Sequence, residues 1–198
     1  MKPATLRIGV LLAAGRGRRM GSTKQLVPWP TAAGEIPLVV AAFEAIQPIC
    51  DEFVVVLGHE SDAVTVALGD RPFHEALSDP DAPMFESIRV GIRRALSFDP
   101  DATIVLHPAD HPQVSHATLL TLTDWSLKRP VEAIIPEYDD RGGHPVLIPH
   151  NIAVIISGAE CPDGLGQFWI DHPKLCHRVS VKDSGILRNI DTPSDLNN

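Results

Sequence analysis

Four short apolar runs, separated by amphipathic stretches, constrain the fold of this chain more than any other feature. They are Thr5–Leu12 (TLRIGVLL), Glu52–Gly58 (EFVVVLG), Ala102–His107 (ATIVLH) and Glu132–Pro136 (EAIIP). Nearly continuous branched apolar residues of this length suit parallel strands covered on both faces. Between them the pattern turns helical, over Pro37–Ile46, Ser61–Leu68, Phe85–Ser97 and Ser115–Leu127. Pro37 fits a first helical turn, and Ser61 and Ser115 fit N-caps. The alternation predicts an α/β fold of three layers, Rossmann-like, with a mostly parallel central sheet and right-handed crossovers. In such sheets a ligand crevice opens beyond the carboxyl ends of the strands. After Pro136 the pattern loosens. YDDRGGHPVLIP reads as a loop leading into a strand, and His177–Val181 as another strand, the region forming a sheet extension or lid.

The 198 residues suffice for one well-buried core and are read as a single domain, 1–198. No apolar run reaches the roughly 20 residues of a membrane span. IGVLLAA after Lys2 and Arg7 is too short for a leader core and is read as a buried strand. Three widely separated cysteines, Cys50, Cys161 and Cys176, point to reduced thiols and a cytoplasmic location.

The net charge of −8 argues against nucleic acid as a partner. The charge is unevenly spread. Residues 1–34 hold six Lys/Arg and no Asp/Glu, which leaves −14 on the remainder. A basic loop in an acidic chain suggests a small anionic ligand. The loop follows the first strand: LLAAGRGRRMGSTKQLVPWP, Leu11–Pro30. Glycines there let a backbone approach phosphate, Arg16, Arg18 and Arg19 suit its bidentate grip, and Lys24 adds a point charge. Two common phosphate loops fail. Ser22 stands where a P-loop needs lysine, and Met20 where a dinucleotide fingerprint needs its third glycine. A solvated basic turn is the bland alternative.

LAAGRGRRMGSTKQL matches L-A-A-G-x-[GS]-x-R-M-G-x-x-K, and so resembles the nucleotidyltransferases that attach a nucleotide to a phosphorylated acceptor. The K-Q-L-x-P-W continuation is similar to the cytidylyltransferase-like branch of the molybdenum-cofactor nucleotidyltransferases. GHE at Gly58–Glu60, MFESIRVGI at Met84–Ile92, ADHP at Ala109–Pro112, GGHPVLI at Gly142–Ile148 and NIDTPSDL at Asn189–Leu196 follow in the family's order. The resemblance implies a nucleoside triphosphate substrate, CTP favoured, and a phosphorylated small-molecule acceptor such as molybdopterin. It implies Mg²⁺ as cofactor and a molybdoenzyme or maturation protein as further partner. A sugar- or alcohol-phosphate acceptor, and a non-catalytic nucleotide-binding protein on the same fold, are the alternatives. By resemblance, Leu12, Ala13, Ala14, Gly15, Gly17, Arg19, Lys24, Asp79 and Ser87 bind the nucleotide. Arg19, Lys24 and Asp110 act in catalysis, and His144 lies near the acceptor.

Asp110 and Asp191 are the implied metal ligands. Nucleotidyl transfer brings one phosphate oxygen onto an already anionic phosphorus. Mg²⁺, usually held by one or two carboxylates plus substrate phosphates, offsets that repulsion. Capping or turn roles are the alternatives for both residues. HPADH also offers His107, Asp110 and His111, with His116 nearby, as zinc ligands, but its prolines break the spacing and crevice-edge positions suit the histidines better. Trp29, Trp125 and Trp169 are expected in or near the core. Four departures stand out. Pro83 and Glu86 replace a glycine and a serine near the expected ribose, where a new carboxylate is unfavourable, Asn189 replaces a common aspartate, and an extra Thr31–Glu35 lengthens the loop after Trp29.

Overall fold

A computed structural model describes residues 5–15 and 23–197. The strands are β1 (Arg7–Leu12), β2 (Pro28–Thr31), β3 (Gly34–Pro37), β4 (Glu52–Leu57), β5 (His74–Leu77), β6 (Thr103–Pro108), β7 (Ala133–Tyr138), β8 (Arg141–Gly142), β9 (Val146–Ile148) and β10 (Cys176–Ser180). The helices are α1 (Leu38–Ile46), α2 (Ser61–Leu68), α3 (Met84–Phe98), α4 (His116–Lys128), α5 (His150–Gly158) and α6 (Gly164–Asp171).

The main sheet runs β10-β7-β9-β6-β1-β4-β5, with β8 paired to β7. The pairings β6-β1-β4-β5 and β7-β10 are parallel, whereas β9 runs antiparallel between β6 and β7. The expected mostly parallel α/β sheet is therefore present. Its period-2 side chains divide the core into two layers. Ile8 and Val10 of β1, with Val54, Val56, Ile104 and Leu106, pack under α3, α5 and α6. Leu11, with Phe53, Val55, Leu57 and Val105, packs under α1, α2 and α4. Helix α3 lies close on the sheet at Gly91, where a Cβ would come within 2.5 Å of Val10 and 2.7 Å of Val56.

Several local expectations are corrected. Pro37 is extended (ψ 142°) and ends β3, so the first helical turn begins at Leu38. Glu60, in left-handed backbone at φ 56°, occupies the cap position of α2, and Ser61 is already helical. Ser115 does cap α4, accepting the Thr118 N–H at 3.2 Å. Thr31–Glu35 is the turn of the β2-β3 hairpin rather than a lengthened loop. The loosely patterned region supplies the sheet extension: β8–β10, plus α5 and α6, which the pattern did not reveal. Trp169 is buried, while Trp29 is half-buried on the hairpin and Trp125 packs beside the α4 layer. No helix of the described residues is long and apolar enough to cross a membrane.

Candidate active site

The strand order turns at β1. The connection to β4 leads to one side and the later α3 crossover brings β6 to the other, so the crevice falls at the carboxyl ends of β1 and β6. A cavity of about 360 Å³ opens there. The ends are tied by backbone: Ala109 N–H donates to the Leu12 carbonyl at 3.0 Å, and Ala13 N–H to that of Val56 at 2.9 Å.

Lys24 stands on the first turn of a 3-10 segment, Lys24–Leu26, which ends as Pro28 opens β2. Its ammonium bridges two carboxylates, 2.6 Å from Asp110 Oδ2 and 2.5 Å from Asp191 Oδ1. All three residues line the cavity. Residues 81 positions apart thus converge on one cation, held by a direct link between their loops: Ile190 N–H donates to the Asp110 carbonyl at 3.0 Å. The capping alternative for Asp191 fails on geometry. Asp195, not Asp191, turns its carboxylate onto the Asp191 and Thr192 N–H groups, at 2.9 and 2.7 Å. The Asp191 side chain points to Lys24 instead, and Asn189 Nδ2 steadies its other oxygen at 2.7 Å.

Asp110 is oriented by its neighbour. His111 Nδ1 lies 2.8 Å from Asp110 Oδ1, and because a carboxylate only accepts, that nitrogen carries the proton. Burial pushes the Asp110 carboxyl up, but the His111 hydrogen bond and charge, with Lys24, outweigh it and hold it well below the usual carboxylate range. His107 is a correction: it is fully buried rather than at the crevice edge, and its Nε2 donates to the His111 carbonyl at 2.7 Å. Burial, then His111 and His144, lower its pKa to about 3, so the ring is neutral. No group of three or more His, Cys, Asp or Glu able to hold a metal occurs among the described residues, which removes support for a zinc site in HPADH. Two hard carboxylates on the cavity wall, already sharing one cation, do fit Mg²⁺ or Mn²⁺, with substrate phosphates completing the shell.

Leu12, Ala14, Gly15, Lys24, Asp79, Ser87, Asp110 and Asp191 all line the cavity. Ala13 is absent from the lining, its side chain packing in the opposite layer with α1 residues. Gly17 and Arg19 lie outside the described residues. Ser87 shares a hydrogen bond with Ser78 at 2.9 Å. Glu86 is absent from the lining; its carboxylate meets Arg89 at 2.7 Å and Arg93 at 3.8 Å. The unfavourable charge expected beside a ribose is therefore directed elsewhere.

Gln25 was missed by sequence reasoning. It is buried, and its Nε2 spans the carbonyls of Ala13 and Gly15 at 2.8 and 2.6 Å, shaping the exit of β1. Its only signal in the sequence is its place in K-Q-L, next to Lys24.

His144 is not on this cavity. It lines a second one of about 240 Å³, which shares Leu12, Met84 and Pro108 with the first and is walled by Phe85, Ile88, Ile135, Leu165 and Trp169. Gly143 fits there because a Cβ would meet the Ile186 carbonyl oxygen at 2.4 Å. Burial and His111 lower the His144 pKa to about 4, and its buried Nδ1 has no hydrogen-bond partner.

The chain is 26% identical to a probable molybdenum cofactor guanylyltransferase of Rhodopirellula baltica, over 96% of this chain and 89% of that one. It is 24% identical to the molybdenum cofactor cytidylyltransferase of Escherichia coli K12, over 94% and 92%. The crystal structure of Rv0371c from Mycobacterium tuberculosis H37Rv superposes with a TM-score of 0.81 at 26% identity, covering 98% and 97% of the two chains. That protein has also been solved as a manganese complex (TM-score 0.71, 25% identity, 89% of each chain). A family model described as the MobA-like NTP transferase domain matches residues 9–174, and the chain belongs to that family.

Proposed function

We propose that this nucleotidyltransferase moves a nucleoside monophosphate from an NTP onto the phosphate of a molybdopterin-type acceptor, with Mg²⁺, releasing pyrophosphate. One observation carries the reading: Lys24, Asp110 and Asp191 meet within hydrogen-bond distance on the wall of a cavity at the β1 and β6 ends. An acceptor phosphate oxygen attacks the α-phosphorus, the bond to the bridging β-phosphate oxygen breaks, and pyrophosphate leaves. No general base is required, because a phosphate monoester is largely ionised near neutral pH. Asp110 and Asp191 hold the metal, which when bound offsets phosphate charge and lines up the transfer. Lys24 reaches the phosphates, and Arg19 and Gly17 are assigned the triphosphate from the motif alone. Catalysis then rests on positioning and electrostatics.

The second cavity supports a ring-bearing acceptor over a sugar or alcohol phosphate. Its apolar walls and Trp169 suit a flat fused ring, and His144 on the same lining is the one ionisable side chain there for a ring polar group. A single transferase unit over 1–198 and a cytoplasmic location belong to the same reading; all three cysteines are free.

CTP is favoured by the K-Q-L-x-P-W motif. GTP is the second reading, favoured by Asp79. A carboxylate on the cavity lip can accept both guanine N1–H and N2–H, whereas the N3 and O2 of cytosine would face it as acceptors. The name of the Rhodopirellula relative agrees with guanine. Pyrophosphate release from each of the four NTPs, with molybdopterin and Mg²⁺, tests the proposal. Turnover with CTP supports the first reading. Turnover with GTP that collapses in Asp79→Asn supports the second. Release with sugar phosphates but not with molybdopterin overturns the acceptor assignment.

A further inference from the structure

The cation between Asp110 and Asp191 belongs to the protein itself. Lys24 is only 9% exposed, and its ammonium contacts one oxygen of each carboxylate. The remaining oxygens are engaged elsewhere, Asp110 Oδ1 by His111 and Asp191 Oδ2 by Asn189. A divalent ion on this pair therefore competes with Lys24 for the same two oxygens. An ammonium and a metal ion cannot share them, since like charges at such distances repel strongly in a half-buried site. Lysine is suited to yielding, being a point charge with rotatable donors on a flexible stem.

Resting on the reading that these carboxylates hold the metal, we propose that Lys24 is the resident counter-ion of the free enzyme. It shuts the carboxylate pair against divalent ions until a nucleotide triphosphate draws its ammonium aside. Lys24 lines the nucleotide cavity, so a short swing of its side chain exchanges carboxylate for phosphate. The free enzyme thereby keeps its acidic pair half compensated, and metal enters with the nucleotide rather than before it. The coupling is reciprocal: nucleotide tightens metal and metal tightens nucleotide by the same factor.

The experiment is a Mn²⁺ titration of the whole protein followed by electron paramagnetic resonance, without acceptor. It is run with and without the α,β-methylene analogues of CTP and GTP, correcting for Mn²⁺ bound to analogue alone. Wild-type protein is expected to bind Mn²⁺ weakly alone and about 5- to 150-fold more tightly with an analogue, the usual range of such couplings. Lys24→Met, which removes the charge but keeps much of the stem, is expected to bind Mn²⁺ without nucleotide more tightly than wild type by a similar factor. Lys24→Arg keeps the charge and is expected to stay weak. Adding Asp110→Asn to Lys24→Met should erase the gain. Thermal melts confirm folding, and Lys24→Gln replaces the methionine variant if that one melts early. Folded Lys24→Met binding no tighter than wild type overturns the proposal, as does wild-type binding equally tight with and without analogue. Either result leaves the metal assignment standing. Wild-type protein that binds no Mn²⁺ beyond the analogue's own share defeats the metal assignment, and this proposal with it.

Discussion

The two neighbouring cavities are built on opposite principles. The first is held by charge: Lys24, Asp110 and Asp191 come from segments remote in sequence and meet through ion pairs of 2.5–2.6 Å. The second is held by apolar packing of α3, α6, β7 and β9, with His144 as its one ionisable side chain. They share a wall at Leu12, Met84 and Pro108. A charged chamber can bind a triphosphate and metal tightly with little shape selection. An apolar chamber selects by shape and contributes little to phosphate chemistry. On the proposed function, the first chamber carries reactivity and the second acceptor choice.

The sharpest way to break that division is Asp110→Ala. Pyrophosphate release should fall by about two to three orders of magnitude, as when a charge-stabilising group is lost from an active site. Circular dichroism and thermal melts check folding, because the change also leaves the buried Lys24 to Asp191 alone and strips His111 of its carboxylate partner. Turnover near wild type would return the chemistry to other residues.

Gly166→Leu tests the other chamber. Gly166 lines it, and no atom lies within 4 Å of an added Cβ, so the side chain should enter open space. The acceptor KM should rise about tenfold or more, in line with the cost of a filled pocket, while the nucleotide Kd measured without acceptor is unchanged. A matching loss of nucleotide affinity would mean that the cavities are not separable.

Acid should destabilise the fold through two desolvated histidines close to these cavities. His107 and His144 have folded pKa values lowered to about 3 and about 4, against the usual 6.5. Between these limits the unfolded chain binds protons that the folded chain refuses, so stability rises with pH. The contribution is complete above about pH 6.5 and falls by about 1.4 kcal/mol per pH unit for each ring as pH drops toward 4. Chemical denaturation from pH 7 to 5 reads this loss, and His107→Gln should remove about half of it, leaving the part due to His144. Glu86→Ser should do least. Its carboxylate faces Arg89 and Arg93, so kcat and the nucleotide KM should remain within about twofold of wild type, as for most surface changes.

How much of this was legible in the sequence differs between the same two regions. Strands β1, β4, β6 and β7 lie within a residue or two of their apolar runs, since a doubly covered parallel strand needs branched apolar residues at both faces. The region after Pro136 concealed more. Strand β9 is only Val146–Ile148, and nothing local says that it will run antiparallel between β6 and β7. Helix α5 buries Ile152, Ala153 and Ile156 over nine residues, too brief a stretch for its period to stand out. The charged site was legible as a set of residues through the motif but not as a geometry. No local pattern showed that Lys24 would lie between Asp110 and Asp191, that Glu86 would turn to two arginines, or that Gln25 would clasp the β1 exit.

The sequence by itself determined the layers of the fold, the basic glycine loop and the family, because periodicity, charge and motif are written in neighbouring residues. Only the tertiary structure decided which groups share a cavity, that His144 stands apart from the carboxylates, and that a lysine occupies the acidic pair. Those are matters of strand order and chain crossing, where residues far apart in sequence are brought within a few ångströms by the packing of the whole sheet.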